Sequence, residues 1–166
     1  MNITFIGMPG AGKSTIGEKI AKDFGYKFID IDKIIEDDKK IGLQSILNQI
    51  GDKEFIKLEE QTVLNLSSVQ NSIISPGGSV IYSPKAMNYL KSISTIIYLN
   101  ISLEEIEKRV SSSKESRGIV GLKDKTLIEV YNKRTPLYKQ YADIQIDVTD
   151  KGLNTVIQEI RKKLGI

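Results

Sequence analysis

Gly7-Met8-Pro9-Gly10-Ala11-Gly12-Lys13-Ser14 matches the pattern G-x-x-x-x-G-K-[ST] in full. An apolar run, Ile3 to Ile6, leads into it. A stretch in which Ile16, Ile20 and Phe24 recur on one helical face leads out. Strand, loop and helix in that order form a cradle for phosphate. The glycines let successive backbone N–H groups converge on anionic oxygens, and the helix N-terminus adds partial positive charge. Gly10, Ala11, Gly12, Lys13, Ser14 and Thr15 are therefore the candidate nucleotide-binding residues. Lys13 is expected to reach the β- and γ-phosphates, and the Ser14 hydroxyl to ligate Mg²⁺.

Outward from this loop, short apolar runs alternate with longer amphipathic stretches. Ile3 to Ile6, Lys27 to Ile31, Ser72 to Ser75, Thr95 to Leu99 and Ile144 to Val148 read as strands. Helical faces lie between them: Phe55, Leu58, Thr62 and Leu66 on one, Val156, Ile160 and Leu164 on another. Near-continuous apolar strands alternating with helices predict an α/β fold, a five-stranded parallel sheet covered on both faces. Two segments break the rhythm. Residues 32–66 stay helical without returning to the sheet, interrupted near Gly51-Asp52. Residues 111–125 are polar. Such excursions are where a substrate pocket and a lid are expected. One domain over 1–166 accommodates all of this.

Composition narrows the chemistry. The 166 residues contain no cysteine and no histidine, which excludes disulfides, thiolate nucleophiles and imidazole bases. Proton transfer falls to a carboxylate, Lys, Tyr or water, and a metal to oxygen ligands. Lys and Arg number 24 against 21 Asp and Glu, a net charge of +3 with no run of like charges. Nucleic acid is not an expected partner. No apolar run approaches the length of a membrane span, and the first residues lack a secretory n-region, so a cytoplasmic location is expected. A monomer is expected.

Phe28-Ile29-Asp30-Ile31-Asp32 ends the second apolar run. Read as a strand, residues i and i+2 share a side, and both carboxylates point to one spot at its carboxyl end. One is then suited to accept a hydroxyl proton and the other to hold Mg²⁺ through water. Alternatively, Asp32 caps the next helix. The third strand ends in Ser75-Pro76-Gly77-Gly78-Ser79, where two glycines allow close approach of a ligand to the backbone. Leu127, Tyr131, Arg134, Tyr138 and Tyr141 fall on one helical face that Pro136 is expected to kink. Arg134 therefore points inward and needs an anionic partner, either a substrate or a carboxylate such as Glu59. Arg117 lies in the polar segment, where an arginine closing over a transferring phosphate is a recurring device.

The order of these features, ending in Lys133-Arg134-Thr135-Pro136-Leu137-Tyr138, resembles the shikimate kinase family over nearly the whole chain. The resemblance implies a P-loop NTPase three-layer sandwich with a substrate-binding helical excursion (32–66) and a lid (111–125). It implies transfer of a phosphoryl group from ATP, with Mg²⁺, to a hydroxyl of a small molecule, shikimate first among the acceptors. By it, Asp32 binds ring hydroxyls, Asp30 and Ser14 support Mg²⁺, and Gly77 and Gly78 line the substrate. Arg134 grips a carboxylate, and Arg109 and Arg117 contact ATP. Lys13, Asp32 and Arg117 are the expected catalytic residues.

The chain also departs from the family pattern. Where the family carries a carboxylate-binding arginine after its phenylalanine, Phe55 is followed by Ile56. Ile56 is expected to present an apolar wall there, and the adjacent Lys57 is rotated by about 100° on a helix. Loss of one charge-assisted contact weakens binding by about 1.5–3 kcal/mol. Pro76 stands where the family's glycine triplet begins, and Arg117-Gly118-Ile119-Val120 replaces its R-P-L run. Two alternatives remain at this point: a kinase of the same fold for another polyol or sugar acid, and a non-catalytic nucleotide-binding protein.

Overall fold

A computed structural model describes residues 1–67, 69–112 and 119–166. The five apolar runs form one parallel sheet: β1 (Asn2–Ile6), β2 (Lys27–Asp30), β3 (Ser72–Ser75), β4 (Thr95–Asn100) and β5 (Ile144–Asp147). Their order is β2-β3-β1-β4-β5. Register aligns Thr4 with Ile74 on one side and with Ile96 on the other. The strand carrying the glycine-rich loop is thus central. Buried Ile3, Phe5, Ile73, Ile74, Ile96 and Ile97 account for the absence of hydrophobic–polar alternation, since both faces are covered.

Helices α1 (Lys13–Phe24), α2 (Ile31–Lys39), α3 (Leu43–Leu64), α4 (Pro84–Ile93), α5 (Leu103–Ser112), α6 (Leu127–Tyr141) and α7 (Leu153–Leu164) fill the connections. Local chemistry sets several boundaries. Gly25, at φ 66°, closes α1 with its N–H on the Ala21 and Lys22 carbonyls. Ser83 caps α4 ahead of Pro84. Thr126 and Glu129 form a capping box at the start of α6. A three-ten turn, Val80–Tyr82, follows the paired glycines. Among the described residues no helix is long and apolar enough to cross a membrane.

Three expectations are corrected. The second strand stops at Asp30, whose side chain accepts from the Lys33 N–H and caps α2. Asp32 therefore stands in the first helical turn, and strand alternation is not what orients it. The cap belongs to Asp30, not Asp32. In α3, the face turned inward is Phe55, Glu59 and Val63; Leu58 and Thr62 flank it half-buried, and Leu66 lies beyond the end of the helix. In α6 the buried face is Val130, Arg134 and Tyr138, and the helix runs as one element through Pro136. The interruption at Gly51 is present: the residue takes φ 76° and ψ 168°, a break inside α3 that only glycine adopts without strain. Residues 32–66 leave the sheet as α2 and α3, as expected.

Candidate active site

At the carboxyl ends of β1 and β3 lies a cavity of about 640 Å³. Gly10, Gly12, Lys13, Ser14 and Thr15 line it from the loop and α1, and Asp32 from α2. Gly77 and Gly78 line it from the β3 end, with Arg109 from α5 and Arg134 from α6. Ala11 is buried beneath the loop. Asp30 stands beside it and accepts the Ser14 hydroxyl at 3.0 Å. The expectation at Arg117 lies outside the described residues, as do the other residues of 113–118 within the stretch 111–125.

The loop is built as its glycines require. Gly10 and Gly12 take φ 87° and 91°. Gly12 is the N-cap of α1 and has no side chain to cap it, leaving the first-turn amides to an outside anion. Lys13 folds back on the loop and donates to the Gly7 and Met8 carbonyls at 3.0 and 3.2 Å. Burial lowers its ammonium pKa to about 8, against the opposing pull of Asp32. Arg109 donates from Nη1 to the Gly10 carbonyl at 3.0 Å and from Nε to Glu105 at 2.9 Å. This anchors an arginine over the phosphate end of the cavity.

A second group of residues faces the loop. Burial raises the Asp32 carboxyl to about 6, with Lys13 opposing the rise. A Cβ on Gly77 would collide with Glu59 Oε1 and come within 2.7 Å of Asp32 Oδ1. One on Gly78 would lie 2.8 Å from Arg134 Nη1. The two glycines let three charged or polar side chains press on the backbone. Arg134 is almost fully enclosed, at 1% exposure. Its Nη2 donates to the Val120 carbonyl at 2.8 Å, its Nε to the Tyr82 hydroxyl at 3.4 Å, and its guanidinium lies over the Tyr82 ring. Among the described residues no carboxylate comes within ion-pair distance of it, Glu59 included. The ion-pair alternative for Arg134 is therefore not what the fold builds.

The apolar wall expected from Ile56 does not form. Ile56 turns from the cavity and packs half-buried against the core, and Lys57 is exposed and paired with Glu54 at 2.7 Å. From α3 it is Leu43, Phe55 and Glu59 that line the cavity, and the polar one is Glu59. Its Oε2 accepts the Ser79 hydroxyl, and its Oε1 is buried with no partner among the described residues. Burial, reinforced by the Asp32 charge, raises its carboxyl to about 8. The sequence reading missed Glu59 and Ser79 as cavity residues. The signal was present: Phe55, Glu59 and Val63 stand at i, i+4 and i+8, an acid on an apolar face.

A divalent cation fits the donor set in part. Ser14 Oγ and Asp30 Oδ2 lie 3.0 Å apart beside the cavity, but the described residues hold no cluster of three or more metal-binding side chains. Such a site suits Mg²⁺, which keeps waters and takes further oxygens from phosphate.

Comparison with known proteins agrees with this geometry. The family model for shikimate kinase matches residues 9–165. A shikimate kinase from Caldanaerobacter subterraneus subsp. tengcongensis is 34% identical over 161 residues, 96% of this chain and 93% of that protein. One from Lactococcus lactis subsp. lactis is 31% identical over 166 residues, covering 100% and 99%. The solved structure of shikimate kinase from Acinetobacter baumannii in complex with shikimate superposes with a TM-score of 0.88 at 26% identity, covering 99% and 93%. With a phosphate loop, Asp32 and a buried Arg134 around one cavity, and a family match along nearly its whole length, the chain belongs to the shikimate kinase family.

Proposed function

We propose that the protein transfers the γ-phosphoryl group of ATP to a hydroxyl of shikimate, giving ADP and shikimate 3-phosphate. The observation that carries this reading is Arg134: a buried cation with no carboxylate at ion-pair distance among the described residues, in the same cavity as Lys13 and Asp32. A guanidinium left uncompensated in that position suits the carboxylate of an anionic acceptor. The nucleotide phosphates lie against the first-turn amides of α1, Lys13 and Arg109. Asp32 orients the acceptor hydroxyl. Its oxygen attacks the γ-phosphorus as the bond to the ADP oxygen breaks, and the hydroxyl proton passes to the Asp32 carboxylate. Ser14 and Asp30 would hold Mg²⁺, which supplies charge neutralisation on the phosphate oxygens. Gly77 and Gly78 form the acceptor's backbone wall.

In this reading 1–166 is one kinase domain, 32–66 carries the acceptor site and 111–125 the lid. Steady-state ADP release tests it: turnover with shikimate is expected, with little ADP released in its absence. Ile56 in place of an arginine favours, as a second reading, a related polyol acid as acceptor. Turnover with such an acid and none with shikimate would replace the first.

A further inference from the structure

Glu59 is a buried acid for which the proposed phosphoryl transfer has no step. It sits on α3, faces the cavity at 1% exposure, and is met from four directions. Asp32 approaches from α2, Lys13 from the start of α1, Arg134 from α6, and Ser79 from the turn after β3. Ser79 satisfies Oε2. Oε1 is sealed from water against Gly77, with Asp32 Oδ1 on the same side and no hydrogen-bond donor to it among the described residues. A carboxylate placed there would leave a charge unpaired beside a second carboxylate, an arrangement in which one of the two stays protonated. Arg134 supplies the complementary fact: it makes no ion pair with Glu59 although both border the cavity. Ile56, one turn before Glu59, brings no cation to the pair.

We propose that Glu59 is a positioning residue that acts as an uncharged acid, leaving the Arg134 charge unspent for an anionic acceptor. Ionised, Glu59 would offset that charge internally and repel an incoming carboxylate. Neutral, it fills the space behind Gly77 and holds no claim on either cation. Arg134 can then hold the acceptor, which accounts for how the cavity works with Ile56 in place of a second cation on α3. This inference rests on the shikimate kinase reading of the site.

Two linked measurements test it. Calorimetric titration of shikimate, without nucleotide, in buffers of differing ionisation heat reads the protons exchanged on binding. Near about pH 8, where burial and Asp32 bring Glu59 into titration, wild-type protein takes up a proton as shikimate binds, and Glu59→Gln takes up none. The shikimate KM of the wild type rises about tenfold between about pH 7 and about pH 9, and the ratio collapses toward one in Glu59→Gln. Lys13 titrates in the same range, so a rise that persists in Glu59→Gln, with proton uptake retained, belongs to another group and overturns the inference. Ser79→Ala gives an independent arm. It removes the donor that favours the ionised form, so the rise moves to higher pH; an unmoved or lowered rise counts against the proposal. Shikimate that binds without proton uptake overturns the role of Glu59 alone. Failure of shikimate to bind at neutral pH overturns the acceptor assignment, and the inference with it.

Discussion

Gly77 leaves no room for a side chain, because a Cβ there would stand between Glu59 Oε1 and Asp32 Oδ1. Gly77→Ala puts a methyl group onto Glu59 Oε1 and close to Asp32 Oδ1. The acceptor side should suffer: shikimate KM rises by about tenfold or more while nucleotide affinity changes little, as steady-state kinetics and nucleotide titration would read. Glu59 also makes a stability prediction of definite sign. Folding raises its pKa from 4.5 to about 8, so the contribution of its bound proton is present below the unfolded value and is lost as pH rises toward 8. Glu59→Gln lacks that loss. Its melting temperature relative to wild type should climb between about pH 5 and about pH 8, an effect on the order of 2–4 kcal/mol. A difference that stays flat across this range would contradict a buried neutral acid. Lys13, Ser14 and Arg134 were legible at this scale because each belongs to a dense local pattern. Glu59 was not, since one acid on an apolar helical face has the same signature as a structural ion pair, and only the tertiary arrangement shows that Arg134 is not its partner.

At the scale of elements, α3 bends at Gly51 and hands its next residue to the far side of the cavity: Asp52 Oδ2 accepts the Gly121 N–H at 2.9 Å. The excursion is thereby tied to the segment whose Val120 carbonyl receives Arg134. Nothing stands within 4 Å of a Cβ built on Gly51. Gly51→Ala therefore isolates backbone strain from packing, and should destabilise by about 1–3 kcal/mol in denaturant unfolding. Asp52→Ala breaks one hydrogen bond, a loss of about 0.5–1.5 kcal/mol. The interruption at Gly51-Asp52 and the five strands were legible from glycine placement and apolar runs. The end of β2 was not. Asp30-Ile31-Asp32 has the spacing of a strand, yet the Asp30 carboxylate captures the Lys33 N–H and starts a helix one residue earlier than alternation suggests. Asp32 still lines the cavity, from a helical turn in place of a pleat, while Asp30 stands beside it on the Ser14 hydroxyl.

For the molecule as a whole, the cavity is walled from both sides of β1: Asp32 and Glu59 arrive from connections on the β2 side, Arg109 and Arg134 from those on the β4 side. Ligands that touch both walls bind the folded state only. ATP with Mg²⁺ at about a hundred times its dissociation constant should raise global stability by about 2.7 kcal/mol, as thermal or denaturant unfolding would show. Chelation of the metal should remove much of that gain and abolish ADP release.

The strand order carries a further consequence for a chain made from its N-terminus. β3 lies between β2 and β1, and pairs with both. A nascent polypeptide ending before Ser72 therefore holds two strands with a vacant slot between them and nothing to close it. Helices α2 and α3 emerge from the ribosome before β3, the strand that follows them. Until Ser75 has cleared the exit tunnel, these hydrophobic edges stand open to chaperones or to other nascent chains.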